Sequence, residues 1–231
     1  MPPSISSAIS AFQDDPLVQG VTAFVKEYMS RYDSSHDWHH VERVVAMAHH
    51  IYNSSDAAFQ ATLDLRTIHL AALLHDVGDH KYLPANQPPT SELTTLLTSL
   101  SCPSDLALTL ETIISAVSYT SETRALSTPT GAAAQASLLA KHPELAVVRD
   151  ADRLDAMGAV GLARMFAYGA VKGGGRSLAE SMEHLDEKLV KLEGMMRTEV
   201  GKKEARVRGE RLRKFRGWWV EEVGEVGGRR V

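Results

Sequence analysis

Apolar residues recur along most of this chain at the spacing of one helix face. In residues 16–32 and 40–53 they return every three or four positions, which predicts two amphipathic helices. Residues 64–77 are apolar on nearly every side, which is typical of a central buried helix. The same spacing predicts helices over 104–118, 150–172, 177–198 and 199–223. No period-two alternation is sustained along the sequence, so an all-α fold is predicted.

Three stretches with the composition of loops separate these helices, and none resembles a long interdomain linker. They are residues 82–91, 119–136 and 172–177. A single helical bundle is therefore the simplest architecture. The predicted divisions are an N-terminal extension at 1–15, one helical domain at 16–223 and a flexible tail at 224–231.

Composition narrows the class of protein. The 231 residues carry a formal net charge of −4, so attraction to nucleic acid or anionic membranes is not expected. The basic C-terminal segment KKEARVRGERLRKFR is interleaved with glutamate and is predicted to be a solvated helix face. Cys102 is the only cysteine, which excludes intramolecular disulfides and multi-cysteine zinc sites. With no signal-like N-terminus and no apolar run long enough to span a bilayer, a cytoplasmic location is expected.

The adjacent pair His75-Asp76 follows the most apolar segment, in LAALLHDVGDHK. Burying both side chains without partners would be costly, and a shared metal ion would satisfy both. Consecutive helix residues point about 100° apart, so the two can share an ion only where a helix ends. Val77-Gly78 predicts such an end directly after the pair.

Two further polar clusters accompany that pair. His36 and His40 lie one turn apart on one helix face, and either is a candidate metal ligand. Asp150, Asp152 and Asp155 are expected at a helix N-terminus, where the helix dipole favours acidic residues. Two of the three acids would then be capping residues, and Asp152 is the middle candidate for a ligand.

Taken together, these motifs resemble the HD superfamily of metal-dependent phosphohydrolases, most closely its small single-domain bacterial and fungal members. The matching segments are SHDWHHVERV, LLHDVGDHK, DADRLDAMGAVGLAR and HLDEKLVKL, in the family's order. The resemblance runs from about residue 16 to residue 216. It implies an HD-domain helical bundle whose divalent metal is held by His40, His75, Asp76 and Asp152.

A ligand set of imidazole and carboxylate without thiolate suits Mn²⁺, Mg²⁺, Co²⁺, Ni²⁺ or Fe²⁺ better than structural zinc, and Mn²⁺ is the expected ion. Four protein ligands leave two positions of an octahedral shell for water or substrate. Two-metal members of the superfamily use further histidines before the last aspartate. Only His80 and His142 are available there, so one metal ion is favoured over two.

The remaining motif residues suggest roles around the metal. Asp79 is the candidate general base, and His36 is the alternative acid or base or a substrate ligand. Cations are needed to neutralise a transferred phosphoryl group. The candidates for substrate binding are Lys81, His184, Lys188 and Arg43. Arg153 or Arg164 is a further candidate, and pairing of these arginines with Asp150 or Asp155 is an equal alternative.

The resemblance implies a phosphohydrolase that acts on a nucleotide and converts a (deoxy)nucleoside triphosphate to monophosphate and pyrophosphate. Three alternatives stay open at this point. They are a phosphomonoesterase or phosphodiesterase at the same metal, a diiron oxygenase, and a non-catalytic nucleotide-binding regulator. The expected partner is a small phosphate ester, and the protein is expected to be a monomer or a homodimer.

Overall fold

The computed structural model describes residues 4–78, 91–171 and 175–223, and within them the chain is helical with no β-strand. The all-α prediction is confirmed. Two short 3₁₀ segments and one π-helical segment accompany the α-helices. The α-helices are α1 (Ile5–Ile9), α2 (Pro16–Met29), α3 (Trp38–Ser54), α4 (Ala57–Gln60), α5 (Leu65–Leu74), α6 (Ser91–Ser99), α7 (Ser104–Val117), α8 (Tyr119–Leu126), α9 (Pro129–Lys141), α10 (Glu144–Asp155), α11 (Gly158–Val171), α12 (Leu178–His184) and α13 (Glu199–Val223).

Helices α3, α5 and α10 pack against one another at the centre of the bundle. Their inward side chains are almost fully buried, and α2, α7 and α13 pack around them. Aspartates start two of the three central helices: Asp37 accepts a hydrogen bond from the His40 backbone N–H, and Asp64 accepts one from that of Thr67. The starts of α3 and α5 are therefore fixed, and with them the positions of the polar residues along these two helices.

Helix α5 ends as the sequence predicts. Its last helical residue is Leu74, His75 follows as the cap, and Gly78 adopts a positive φ of 78°. That conformation is readily available to glycine and lets the backbone leave the helix axis. His75 and Asp76 thus stand where the chain departs from the helix, so their side chains can point to one place.

The predicted helix over 150–172 is wrong in its boundaries. The structure has α10 and α11 here, separated at Ala156-Met157, with Gly158 at a φ of 68°. The three aspartates therefore lie in the second half of α10 and not at a helix N-terminus. The dipole explanation for them does not hold, and each has a specific side-chain environment instead.

The predicted loop over 119–136 is also wrong, because this stretch forms α8 and most of α9. The hydroxyls of Ser118 and Thr128 accept hydrogen bonds from the backbone N–H groups of Ser121 and Gly131. The Ser and Thr residues that suggested a loop act in part as helix caps. Pro129 occupies the first turn of α9, where a missing N–H costs nothing.

The predicted single helix over 177–198 is divided into three segments. Helix α12 begins with a capping box between Ser177 and Glu180. A π-helical segment follows at Leu185–Leu189, and then a 3₁₀ segment at Val190–Met195. The predicted apolar stripe is wrong at its first member, because Leu178 is exposed, and correct from Met182 onward, where each member is buried. These are Met182, Leu185, Leu189, Leu192 and Met196.

The residues before α2 pack onto the bundle. Ala8 of α1 is buried, and α1 lies against α3. The Phe12 ring contacts the edges of His49 and His69, two buried histidines joined by a 2.9 Å hydrogen bond between His49 Nε2 and His69 Nδ1. None of the helices in the described residues is long and apolar enough to cross a membrane.

Candidate metal centre

Three central helices bring two imidazoles and two carboxylates to one point. His40 Nε2, His75 Nε2 and Asp76 Oδ2 form a compact triangle with separations of 3.1, 3.3 and 3.4 Å. Asp152 Oδ1 lies 3.7 Å from His40 Nε2 and 3.8 Å from His75 Nε2. These four residues are the predicted ligand set, and the first three form a group whose donor atoms could hold one ion.

The spacing of these atoms fits a single metal ion. Neighbouring ligands of an octahedral ion at about 2.1 Å stand about 3 Å apart, and opposite ligands about 4 Å. All five separations fall between those limits. Asp76 Oδ2 is buried and makes no hydrogen bond within the described residues, although a buried carboxylate oxygen ordinarily has a partner. A cation between the four side chains would supply it.

The outer nitrogens of both histidines fix their orientation. His75 Nδ1 donates to the backbone carbonyl of Ala72 at 2.8 Å, and His40 Nδ1 donates to Asp155 Oδ2 at 2.8 Å. With the ring protons on Nδ1, both Nε2 atoms present lone pairs to the same point, an arrangement that a cation stabilises. The close approach of His40 Nε2 and His75 Nε2 is therefore explained as a shared ligand position and not as a hydrogen bond.

Asp155 connects this centre to two arginines. Arg43 donates from Nε to Oδ1 at 2.7 Å and from Nη2 to Oδ2 at 3.0 Å, and Arg164 Nη1 donates to Oδ2 at 3.0 Å. Burial alone would raise the pKa of Asp155. The hydrogen bonds from His40 and Arg43 and the charge of Arg164 outweigh it and hold that pKa well below its usual range. The carboxylate stays ionised and can only accept, which keeps the proton on His40 Nδ1.

Asp150, the third acid of α10, has a different task. Its carboxylate accepts hydrogen bonds from the backbone N–H groups of Arg197 and Thr198 and from the Thr198 hydroxyl. It thereby ties the start of α13 to α10. The three aspartates of DADRLDA thus divide into a helix anchor, a candidate ligand and a residue that supports His40.

A cavity of about 580 Å³ opens beside the four candidate ligands. Its volume is in the range of sites for small organic ligands. All four candidate ligands line it, together with His36 and Arg164. Outside the ligand cluster, the described residues that line the cavity include three further basic side chains. These are Arg176, His184 and Lys188.

The π-helical segment places Lys188 in the cavity. Its ammonium lies 4.9 Å from the centre of the Tyr119 ring, within the range of a cation–π contact. Single π turns in otherwise α-helical segments occur frequently at functional sites. Burial and then the charge of Lys188 lower the pKa of His184, so that imidazole is neutral near pH 7.

His36 lines the cavity next to His40, with 5.9 Å between their ring centres. Its Nδ1 is 2.9 Å from the Ser35 hydroxyl, and its ring contacts the edge of Tyr168. Burial lowers the pKa of His36 to about 4. The structure thus places this residue beside the metal cluster, where the sequence left it as an alternative to His40.

Other predicted site residues are placed elsewhere or lie outside the description. Arg43 is held by Asp155 and is not among the cavity-lining residues. Asp79 and Lys81 lie outside the described residues, as does His80, so the candidate base and one candidate phosphate ligand stay predictions. His142 follows α9 and does not line the cavity.

One structural element of the site could not be found in the sequence. Glu122 of α8 is fully buried and binds Arg149, Arg153 and Arg197. Arg149 also donates to the carbonyl of Ala116 at the end of α7. This network fixes α8 against α10 and the segment before α13, and so fixes the cavity wall that α8 begins. Alternating Ser, Thr and Ala around Glu122 gave no sign of it.

Comparisons with known proteins bear on the fold and the family of this chain. The chain is 32% identical over 193 residues to YpgQ, an uncharacterised protein of Bacillus subtilis (strain 168), covering 81% of this chain and 84% of YpgQ. The crystal structure of YpgQ in complex with ADP superposes with a TM-score of 0.66 at 26% identity, covering 88% of this chain and 98% of that one. The sequence matches no protein-family model.

A second solved structure carries the family's name. An HD-superfamily hydrolase from Bacillus thuringiensis is 28% identical, with a TM-score of 0.62 over 92% of this chain and 99% of that one. With the helical bundle and the ordered His, His-Asp and Asp motifs, these likenesses define the class. The chain belongs to the HD superfamily of hydrolases.

Proposed function

We propose that this protein is a metal-dependent phosphohydrolase that converts (deoxy)nucleoside triphosphates to monophosphate and pyrophosphate. The observation that carries the proposal is the convergence of His40, His75, Asp76 and Asp152 on one point beside a cavity lined by basic side chains. A metal cluster and basic groups that line one cavity form a site for a polyanion.

The four converging side chains are the proposed metal ligands. A divalent ion held there supplies a Lewis acid for a phosphoryl oxygen and lowers the pKa of a water molecule. Carboxylate and imidazole donors are compatible with Mn²⁺, and one Mn²⁺ ion is proposed. Asp155 and the Ala72 carbonyl keep the two imidazoles in the tautomer that a cation needs.

The chain's own residues would orient the phosphates. Lys188 and Arg176 bring positive charge to the cavity, and His184 offers a neutral imidazole that can donate one hydrogen bond. Lys81 is proposed to join them. His36, next to His40, is positioned to move a proton to or from a group bound in the cavity, and Asp79 remains the other candidate for that role.

Two points favour a nucleotide over other phosphate esters. The cavity is large enough for a nucleotide, and it combines basic groups with the aromatic rings of Tyr119 and Tyr168. YpgQ, which shares the fold and 32% of the aligned residues, was crystallised with ADP. A phosphatase that releases single phosphates at the same metal remains the second candidate.

The test is nucleotide turnover by the Mn²⁺-supplemented protein and by Asp76→Ala, with products separated by anion-exchange chromatography. Asp14→Ala, an exposed aspartate outside the site, is the matched control. Monophosphate and pyrophosphate in equal amounts, lost in Asp76→Ala and kept in Asp14→Ala, is the expected result. Stepwise release of phosphate would replace the proposal by a phosphatase, and turnover by Asp76→Ala equal to that of the wild type would refute the site.

A further inference from the structure

Among the described residues that line the cavity, one acidic group is not used by the proposed metal and phosphate chemistry. Glu111 lies on α7 and lines the cavity, half-buried. It stands seven residues before Ser118, which also lines the cavity where α7 meets α8. At 1.5 Å per residue the two positions are about 10 Å apart along the helix. Tyr119 and Lys188 lie next to Ser118, so Glu111 and the Lys188 side of the cavity are about two helical turns apart.

A carboxylate here cannot be part of a phosphate subsite, because it would repel the polyanion that the metal cluster and Lys188 attract. Its surroundings suit a different chemical group. Leu93 and Ile114 line the cavity around Glu111 and are buried apolar side chains. An acidic acceptor that shares a cavity with apolar side chains fits a flat, uncharged ring whose edge donates hydrogen bonds.

The carboxylate of Glu111 is held in place. Thr94 is exposed, and its Oγ1 donates to Glu111 Oε1 at 2.6 Å, a hydrogen bond that restricts the orientations of the carboxylate. An ionised carboxylate only accepts hydrogen bonds, and its two oxygens together match two donors that stand side by side. Among the Watson–Crick edges of the four bases, that of guanine presents two adjacent donors, the N1–H and the 2-amino group.

We propose that Glu111 recognises the base of the substrate and makes the enzyme prefer guanine nucleotides. This inference rests on the proposed function, because it assigns the part of the cavity that the phosphates leave free. Leu93 and Ile114 contact the faces of the ring, and Thr94 keeps the carboxylate directed at its edge. Glu111 is accordingly a specificity residue, and the chemical step does not depend on it.

The experiment compares kcat/KM for deoxyguanosine and deoxyinosine triphosphates, which differ only in the 2-amino group. Wild type, Glu111→Gln and the remote control Glu27→Gln, whose side chain is 81% exposed, are assayed with Mn²⁺. We expect the wild type and Glu27→Gln to prefer the guanine nucleotide by about 10- to 100-fold, the range for one hydrogen bond to a charged acceptor. Glu111→Gln should lower that ratio at least tenfold, because the larger loss of kcat/KM falls on the nucleotide that carries the 2-amino group.

The outcomes separate this inference from the proposed function. If the wild type hydrolyses both nucleotides with a ratio that Glu111→Gln does not change, base recognition by Glu111 is refuted and the proposed function stands. If no nucleotide is hydrolysed, the proposed function fails and the inference fails with it. Thr94→Val, which removes the hydrogen bond to Glu111 and no charge, should lower the ratio part of the way. If Glu111→Gln does not fold, Thr94→Val decides the question. An unchanged ratio in folded Thr94→Val would then count against the inference.

Discussion

Replacing Asp155 by asparagine tests how the proposed metal centre is supported. The carboxylate accepts from His40 Nδ1 at 2.8 Å and from Arg43 and Arg164. An asparagine offers one acceptor oxygen to three donors, and its NH₂ group must face one of them. If it faces His40, the ring proton moves to Nε2, which then cannot bind a cation.

Two magnitudes follow from this geometry. Loss of an outer partner of a metal-binding histidine lowers metal affinity about 10- to 100-fold. Removing the carboxylate also leaves two guanidiniums without their shared counter-charge. Because Arg43 is 26% exposed and Arg164 12%, we expect a loss of about 2–3 kcal/mol in the free energy of unfolding, below the range for fully buried pairs.

The assay is a Mn²⁺ titration of the folded protein, with free Mn²⁺ followed by electron paramagnetic resonance, alongside urea unfolding without metal. Asp150→Asn is the matched control, since this buried acid of the same helix anchors Thr198 and does not contact the cluster. It should cost stability without weakening Mn²⁺ binding. If Asp155→Asn binds Mn²⁺ within twofold of the wild type, or if Asp150→Asn weakens binding equally, the reasoning about the His40 tautomer is refuted.

Three further outcomes are expected. Lys188→Met should lower kcat/KM for a triphosphate roughly 100-fold, because it removes a cation from the phosphate site. Lys191→Met, at an exposed position in the 3₁₀ segment that follows, should not, and equal rates for the two variants would contradict the role of Lys188. Glu122→Gln should lower the free energy of unfolding, measured in urea, by about 3–5 kcal/mol, because three arginines lose their common carboxylate. A loss under about 1 kcal/mol would show that the fold does not need this network. Burial lowers the pKa of His49 to about 4 and that of His69 to about 3, so below pH 6.5 the unfolded chain takes up protons that the folded protein excludes. Stability should therefore fall on acidification from pH 6.5 to 5, with a slope for each histidine that approaches about 1.4 kcal/mol per pH unit. His69→Leu should remove the contribution of His69 to that slope, which a set of urea midpoints would measure.

The sequence predicted those parts of the fold that depend on periodicity and on a single backbone requirement. Apolar spacing predicted the helices around 16–32, 40–53 and 199–223 to within a few residues. The end of α5 was predictable because Gly78 is the residue that a left-handed turn favours. The convergence of His40 with His75-Asp76 was predicted from the motif resemblance, because the packing of α3 against α5 is a tertiary contact that no local sequence pattern encodes.

The errors have physical reasons of the same kind. Serine, threonine and alanine at 119–136 are common to loops and to well-capped short helices, and the buried Glu122 network that selects the helices joins residues up to 75 positions apart. The aspartates of α10 were placed at a helix start because acids favour that position. The structure instead pairs Asp155 with arginines from two other helices, and such pairing cannot be read from spacing alone.

The π-helical segment Leu185–Leu189 has a consequence for how the length of this chain can vary. An i→i+5 turn holds one residue more than an α turn, and a deletion within it would restore α-helical geometry. Side chains on either side would then be rotated by about 100° relative to each other, so Lys188 could not face the cavity while Leu185 and Leu192 both stayed buried. Insertions and deletions between active relatives should therefore avoid these five residues and fall instead at exposed breaks such as residues 61–62, between α4 and α5.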